Sequence, residues 1–206
     1  MISKYISLCA LLATIIFACF TYNFYTTVLH PTVIYPLEIH KTLYLDETFD
    51  DFEVEIISNA AAEWQQATGG RANYSVQKLP FENQEIDFDN SIIVIKVSRH
   101  YPEVAELDFI GNQITLGYCN SRGSVQYIAL VSDRLSDNLY QSVMLHELGH
   151  SLGLQHNDSS NGVGTLMYPS IEMGSQYITH KDLVNFCQLY RCDANLLHDQ
   201  KELLHF

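Results

Sequence analysis

His146-Glu147-Leu148-Gly149-His150-Ser151-Leu152-Gly153-Leu154-Gln155-His156 is the stretch on which the reading of this 206-residue chain turns. On a helix, His146 and His150 stand one turn apart, so both imidazoles leave the same face and can grip one metal ion. Glu147 adjoins the first of them, where its carboxylate can reach a water at the metal rather than the metal itself. Gly153 can take the positive φ that ends a helix and reverses the chain. That reversal predicts His156 as a third ligand and leaves the fourth position open. Three protein ligands with an open position is the arrangement of a catalytic zinc, since structural zinc sites are closed by four.

Met167 follows eleven residues after His156, within Thr165-Leu166-Met167-Tyr168-Pro169-Ser170. Taken alone, a methionine there is ordinary core filler. After the histidine string it is expected to form the apolar floor of the metal site. Together the two elements resemble the metzincin metalloproteases, which pair an HExxHxxGxxH string with a methionine turn. Leu166-Met167-Tyr168-Pro169 is closest to the matrixin version. The resemblance extends to Thr179-His180-Lys181-Asp182-Leu183 through Gln188-Leu189-Tyr190, similar to the closing helix of matrixins, and covers about residues 42–192. It implies an α+β fold: a twisted, mostly parallel sheet with an antiparallel edge strand, packed on the active-site helix, plus a C-terminal helix. It also implies one catalytic Zn2+ on His146, His150 and His156, with Glu147 as the catalytic base. Ile114-Thr115-Leu116-Gly117-Tyr118 occupies the place of the strand that holds substrate in the family, so Ile114, Leu116 and Tyr118 are expected to line the cleft. Pro169 and Ile171 are expected in the wall beside the scissile bond. Pro169 takes the place where some metzincins put a metal-reaching tyrosine, so Tyr168 is not expected as a ligand.

The chain departs from the family in two respects. No segment with the inhibitory cysteine of matrixins precedes the domain, so any latency is expected to have another basis. The loop from Arg99 to Gln126 holds a single histidine, His100, and lacks the ligand clusters of the structural zinc and calcium sites.

Around this centre, the periodicity of Phe52, Ile56, Ala60 and Trp64 predicts a helix over Phe49 to Thr68, stopped by Gly69-Gly70. Strands are expected at Ala72 to Gln77, Ser91 to Ser98, Ile114 to Cys119 and Tyr127 to Ser132, with a turn at Asn120-Ser121-Arg122-Gly123. The uniformly apolar Ile92-Ile93-Val94-Ile95 reads as mid-sheet. The histidine helix is expected to start near Ser136 or Asp137. A last helix over His180 to Tyr190 should be capped by Thr179, with Asp182 completing the capping box.

Residues Ile6 to Phe20 are uncharged and apolar, preceded by Lys4 and prolonged by Tyr22, Phe24 and Tyr25. No Lys or Arg occurs between Lys4 and Lys41, a charge asymmetry that predicts export of the rest of the chain. The run lies between the length of a signal-peptide core and that of a membrane span. The favoured reading is an uncleaved anchor over residues 1–25, a linker over 26–42 and a catalytic domain over 43–206. The alternatives are a cleaved signal, giving a secreted protein, and a lipidated Cys19. Cys119, Cys187 and Cys192 fall in the exported part, where disulfides are permitted but where spacing does not fix the pairing.

A net charge of −13 argues against a nucleic-acid partner, which requires a basic footprint, and 47% apolar residues argue against a disordered chain. The expected partners are a protein or peptide substrate and, through the N-terminal segment, a membrane; oligomeric state is left open. The reading from a different class is an anchored zinc-binding module without proteolytic activity.

Overall fold

The computed structural model describes residues 38–79, 86–111 and 113–197. They belong to one compact unit, Pro36–Phe206. The expected anchor, most of the linker and Cys19 lie outside the described residues. Among those described, no helix is long and apolar enough to cross a membrane.

Five strands form one sheet in the order β2-β1-β3-β5-β4. They are β1 (Ile39–Leu45), β2 (Ala72–Lys78), β3 (Ser91–Val97), β4 (Gly117–Arg122) and β5 (Val125–Val131). β1 lies parallel between β2 and β3, β3 pairs parallel with β5, and β4 returns antiparallel on β5 to make the edge. The expected fold class is therefore found. β3 is the middle strand, and its doubly apolar sequence is explained by that position: Ile92 and Val94 are fully buried, and Ile93 and Ile95 are partly covered.

Among the described residues, four α-helices accompany the sheet: α1 (Asp51–Ala67), α2 (Pro102–Gly111), α3 (Asp137–Ser151) and α4 (His180–Tyr190). α1 opens with a capping box in which Asp50 and Glu53 exchange hydrogen bonds, an arrangement worth about 1 kcal/mol. Its buried face is Ile56, Ile57, Ala60, Ala61 and Trp64. Phe52, expected on that face, is instead exposed, because the stripe turns toward Ile57 and Ala61. Trp64 is fully buried and its indole N–H donates to the Leu145 carbonyl of α3 at 2.9 Å. That bond satisfies a polar atom in the core and locks α1 against the histidine helix.

Three further expectations are corrected, and the open cysteine pairing is settled. Residues 39–42, assigned to the linker, are the first half of β1, whose His40 and Lys41 disguise a strand that buries Ile39, Leu43, Tyr44 and Leu45. The loop from Arg99 to Gln126 contains α2, which seats Val104 against Val97, Ala129 and Val131. β4 starts at Gly117, not Ile114, and runs on through Asn120-Ser121-Arg122, so the turn is Gly123-Ser124. Cys187 and Cys192 form a disulfide and Cys119 is free. A regular helix would splay those two cysteines apart. Here α4 ends at Tyr190 and Arg191 takes a left-handed conformation (φ 54°, ψ 48°), which swings Cys192 back to a Cα–Cα distance of 4.5 Å.

Candidate active site

α3 begins after Ser136 and buries Tyr140, Val143, Met144, Leu145 and Leu148, leaving His146 and His150 facing a cleft of about 1110 Å3. Leu152 ends the helix, Gly153 turns the chain at φ 84° as its position in the string predicts, and His156 returns to the two helical histidines. Its Nε2 lies 3.1 Å from His146 Nε2 and 3.1 Å from His150 Nε2.

The protonation of these rings follows from their other nitrogens. His146 Nδ1 is 2.7 Å from the Leu166 carbonyl and His150 Nδ1 is 2.8 Å from the Leu154 carbonyl. A carbonyl only accepts, so each Nδ1 carries the proton and each Nε2 is a bare lone pair. Burial, first, and the neighbouring imidazoles hold His146 down to about 3, and burial holds His150 and His156 below the usual histidine range. At neutral pH, three uncharged imidazoles therefore converge with at most one Nε2 proton among them. Tetrahedral coordination at about 2.0–2.1 Å separates ligand nitrogens by roughly 3.3 Å, close to the spacing found. The donor set, its neutrality and its geometry fit zinc. Among the described residues, no other ligand joins the three histidines within coordinating reach of one another.

Glu147 lies between the histidines and the sheet. It is 4% exposed, and its Oε2 has no hydrogen-bond partner. Burial pushes its carboxyl up to about 8, only partly countered by a hydrogen bond from the Cys119 backbone. The approach of β4 to the helix at this point requires Gly117, since a Cβ there would stand 2.8 Å from Val143 Cγ1 and 3.2 Å from Glu147. In the sequence Gly117 is marked only as part of the strand; its contact with α3 exists only in the fold.

Beneath the metal ligands, Met167 is fully buried, and its Sδ would lie 2.4 Å from a Cβ on Gly149. The glycine of the string thus lets the methionine turn lie directly under the helix. Asp182 holds that turn. It is wholly buried at the head of α4 and accepts from the backbone N–H of Leu166 (3.0 Å), Met167 (3.2 Å) and Thr179 (2.9 Å) and from the Thr179 hydroxyl (2.6 Å). The Leu166 carbonyl in turn orients His146, so Asp182 is a positioning residue for a metal ligand through one peptide unit. The capping-box pattern revealed its local role; nothing local signalled its reach to the turn.

The cleft brings together all the expected lining residues. Ile114, Leu116, Tyr118, Pro169 and Ile171 all line it, as does Tyr168. The Tyr118 hydroxyl is committed elsewhere, donating to Glu103 Oε2 at 2.7 Å. Val131 N–H donates to the Leu116 carbonyl at 2.9 Å. By antiparallel alternation, the backbone groups of Tyr118 and Asn120 then face β5, and those of Gly117, Cys119 and Ser121 face outward.

Among solved structures, archaemetzincin from Methanopyrus kandleri is similar at a TM-score of 0.47 and 14% identity, over 81% of this chain and 97% of that one. A profile of the matrixin family matches residues 45–191. That span runs from the end of β1 past the end of α4 and contains the whole cleft, so the protein belongs to the matrixin family, with a zinc metalloendopeptidase domain centred on its histidine triad.

Proposed function

We propose that the protein is an extracytoplasmic endopeptidase that cleaves extended polypeptides, with Glu147 as general base and a catalytic domain that begins at β1. The observation that carries the reading is the buried, unpartnered Oε2 of Glu147 beside three converging Nε2 lone pairs. A carboxylate kept dry with one oxygen unpaired is poised to accept a proton.

Zinc held by His146, His150 and His156 would supply Lewis acidity toward a water and the scissile carbonyl. Glu147 takes a proton from that water as its oxygen bonds to the carbonyl carbon. It returns the proton to the amide nitrogen as the C–N bond breaks. The raised affinity of Glu147 for protons suits both halves of the exchange. The Gly117 N–H and the outward carbonyls of Gly117, Cys119 and Ser121 provide an edge on which a substrate can pair as an added strand. Pro169 and Ile171 also line the cleft, and Met167 supports the ligands from below.

Residues 1–25 serve as a signal-anchor in this reading. The basic-residue gap from Lys4 to Lys41 supports it, as does a disulfide of the kind that persists in oxidising compartments. Digestion of a denatured proteome by the full-length protein, with cleavage sites read by mass spectrometry, tests the activity. Cleavage absent from the parent, or equal in parent and Glu147→Gln, refutes it. Fractionation of producing cells tests the location; recovery of the intact chain in the soluble cytosol refutes it.

A further inference from the structure

We propose that α2 and the segment leading into β4 form an apolar subsite that captures a bulky hydrophobic substrate side chain three to five residues away from the scissile bond. This rests on the endopeptidase reading above and extends it to substrate class.

Four apolar residues in eight lie open to solvent here: Leu107 (39% exposed), Phe109 (88%), Ile110 (71%) and Ile114 (74%). On a helix Leu107, Ile110 and Gly111 share one side, and Phe109 points elsewhere. Leu107, Gly111 and Ile114 line the same cavity as His146 and Glu147, so this apolar surface is continuous with the catalytic cleft. Position fixes its distance from the chemistry. Glu147 receives its hydrogen bond from the Cys119 backbone. A substrate strand pairs with an edge strand residue for residue. A residue opposite Ile114 therefore lies three positions from one opposite Gly117 and five from one opposite Cys119, or about 10–17 Å at ~3.3 Å per residue.

Backbone pairing does not reach that far. Thr115 N–H already donates to Asp108 Oδ1 at 2.7 Å, and the Thr115 carbonyl accepts from Arg134 Nη1 at 2.8 Å. Arg134 also grips Asp108 bidentately, at 3.1 and 2.6 Å. The strand edge thus keeps the Gly117 N–H and the outward carbonyls of Gly117, Cys119 and Ser121 for pairing, because the Cys119 N–H serves Glu147 and the Ser121 N–H donates to Asn120 Oδ1 at 2.8 Å, whereas at Thr115 both backbone groups are taken. Beyond Gly117 only side-chain contact can hold a substrate, and the side chains presented are apolar. The same bonds pin α2 to the cleft, as does the Glu103 link to Tyr118. The subsite is thereby preorganised, which spares the ordering cost of binding. Among the described residues, the only charged ones lining the cleft are Glu147 and Glu172, so an acidic side chain has no cation to meet there.

The test uses full-length Glu147→Gln protein and fluorescent decapeptides of one sequence, with Leu, Ser or Asp placed three to five residues to either side of the central bond. The expected result is that Leu binds about tenfold more tightly than Ser, on one side of the bond only, with Asp weakest. Adding Leu107→Ser and Ile114→Ser should erase the preference while peptides with Ser at those positions bind as before. A preference absent from the parent, or unchanged in the double variant, overturns the subsite. Should the two substitutions abolish self-association in sedimentation yet leave the preference intact, the surface is a contact between copies and the proposal also fails. Binding is read without turnover. Preference without hydrolysis by the Glu147 protein would overturn the enzymatic reading alone, and hydrolysis without preference would overturn the subsite alone.

Discussion

Replacing Asp182 with asparagine changes no volume yet removes one acceptor oxygen from a buried group that receives four hydrogen bonds. Three of the four converge on Oδ2, so an asparagine keeps its carbonyl there and turns its amide toward the Met167 N–H, 3.2 Å away. One charge-assisted bond is lost, at about 1.5–3 kcal/mol, and a buried N–H is left facing a donor, at about 1–3 kcal/mol more. The expected loss is about 3–5 kcal/mol, a large part of the ~5–15 kcal/mol that holds a domain together. The zinc site should feel it too, because the displaced turn carries the Leu166 carbonyl that orients His146. Loss of such support typically costs about 10–100-fold in metal affinity. Urea unfolding of the zinc-loaded protein measures the first quantity, and competition with a fluorescent chelator measures the second. Thr179→Ala is the control. It removes a cap worth about 1 kcal/mol but leaves the Asp182 bonds to the turn, so zinc affinity should hold. Were Asp182→Asn to lose less than about 1 kcal/mol with zinc affinity unchanged, the route from α4 through the turn to His146 would be wrong.

Other outcomes rest on the same geometry. Glu147→Gln should retain stoichiometric zinc and lose about 10²–10⁴ of the hydrolysis rate, roughly 3–5 kcal/mol, in a peptidase assay; His150→Ala should lose zinc and activity together by metal analysis. After chelation, the Glu147 carboxyl, raised to about 8 in the fold from an unfolded value near 4.5, contributes stability that is full below pH 4.5 and fades as pH rises through 8. Metal-free Glu147→Gln should therefore resist urea better than the metal-free parent at pH 8 and lose the advantage by pH 4. Gly149→Ala, which sets a methyl against Met167 Sδ, should destabilise by about 1–3 kcal/mol and lower zinc occupancy, read by thermal melts and metal analysis.

The parts of this fold legible in the sequence are those whose signals are local. Thr179 and Asp182 announce the start of α4 three residues apart, and the Ile92–Ile95 run can sit only where both faces are covered. The histidine string combines a helical period with a glycine at the turn, so its three ligands could be placed before any tertiary structure was known. β1 was hidden because only part of it is covered, and His40 and Lys41 interrupt its apolar pattern. α2 escaped because its exposed Phe109 and Ile110 break the stripe by which an amphipathic helix is recognised. The Cys187–Cys192 pairing hinges on a left-handed Arg191, a conformation that only a glycine or asparagine would have advertised. The reach of Asp182 and the closeness of Gly117 to α3 belong to packing between distant segments, and no window of sequence contains both partners.

The dependence of His146 on Asp182 also sets a timetable. The triad is complete in sequence at His156, yet the peptide unit that steadies His146 is held from α4, so the metal centre can be finished only after the chain has been synthesised to about Tyr190. A nascent chain that exposes its histidines early would carry ligands without their supports and bind zinc loosely. Destructive chemistry is in this way withheld until the last helix has docked, which protects the enzyme and its neighbours from a half-built blade.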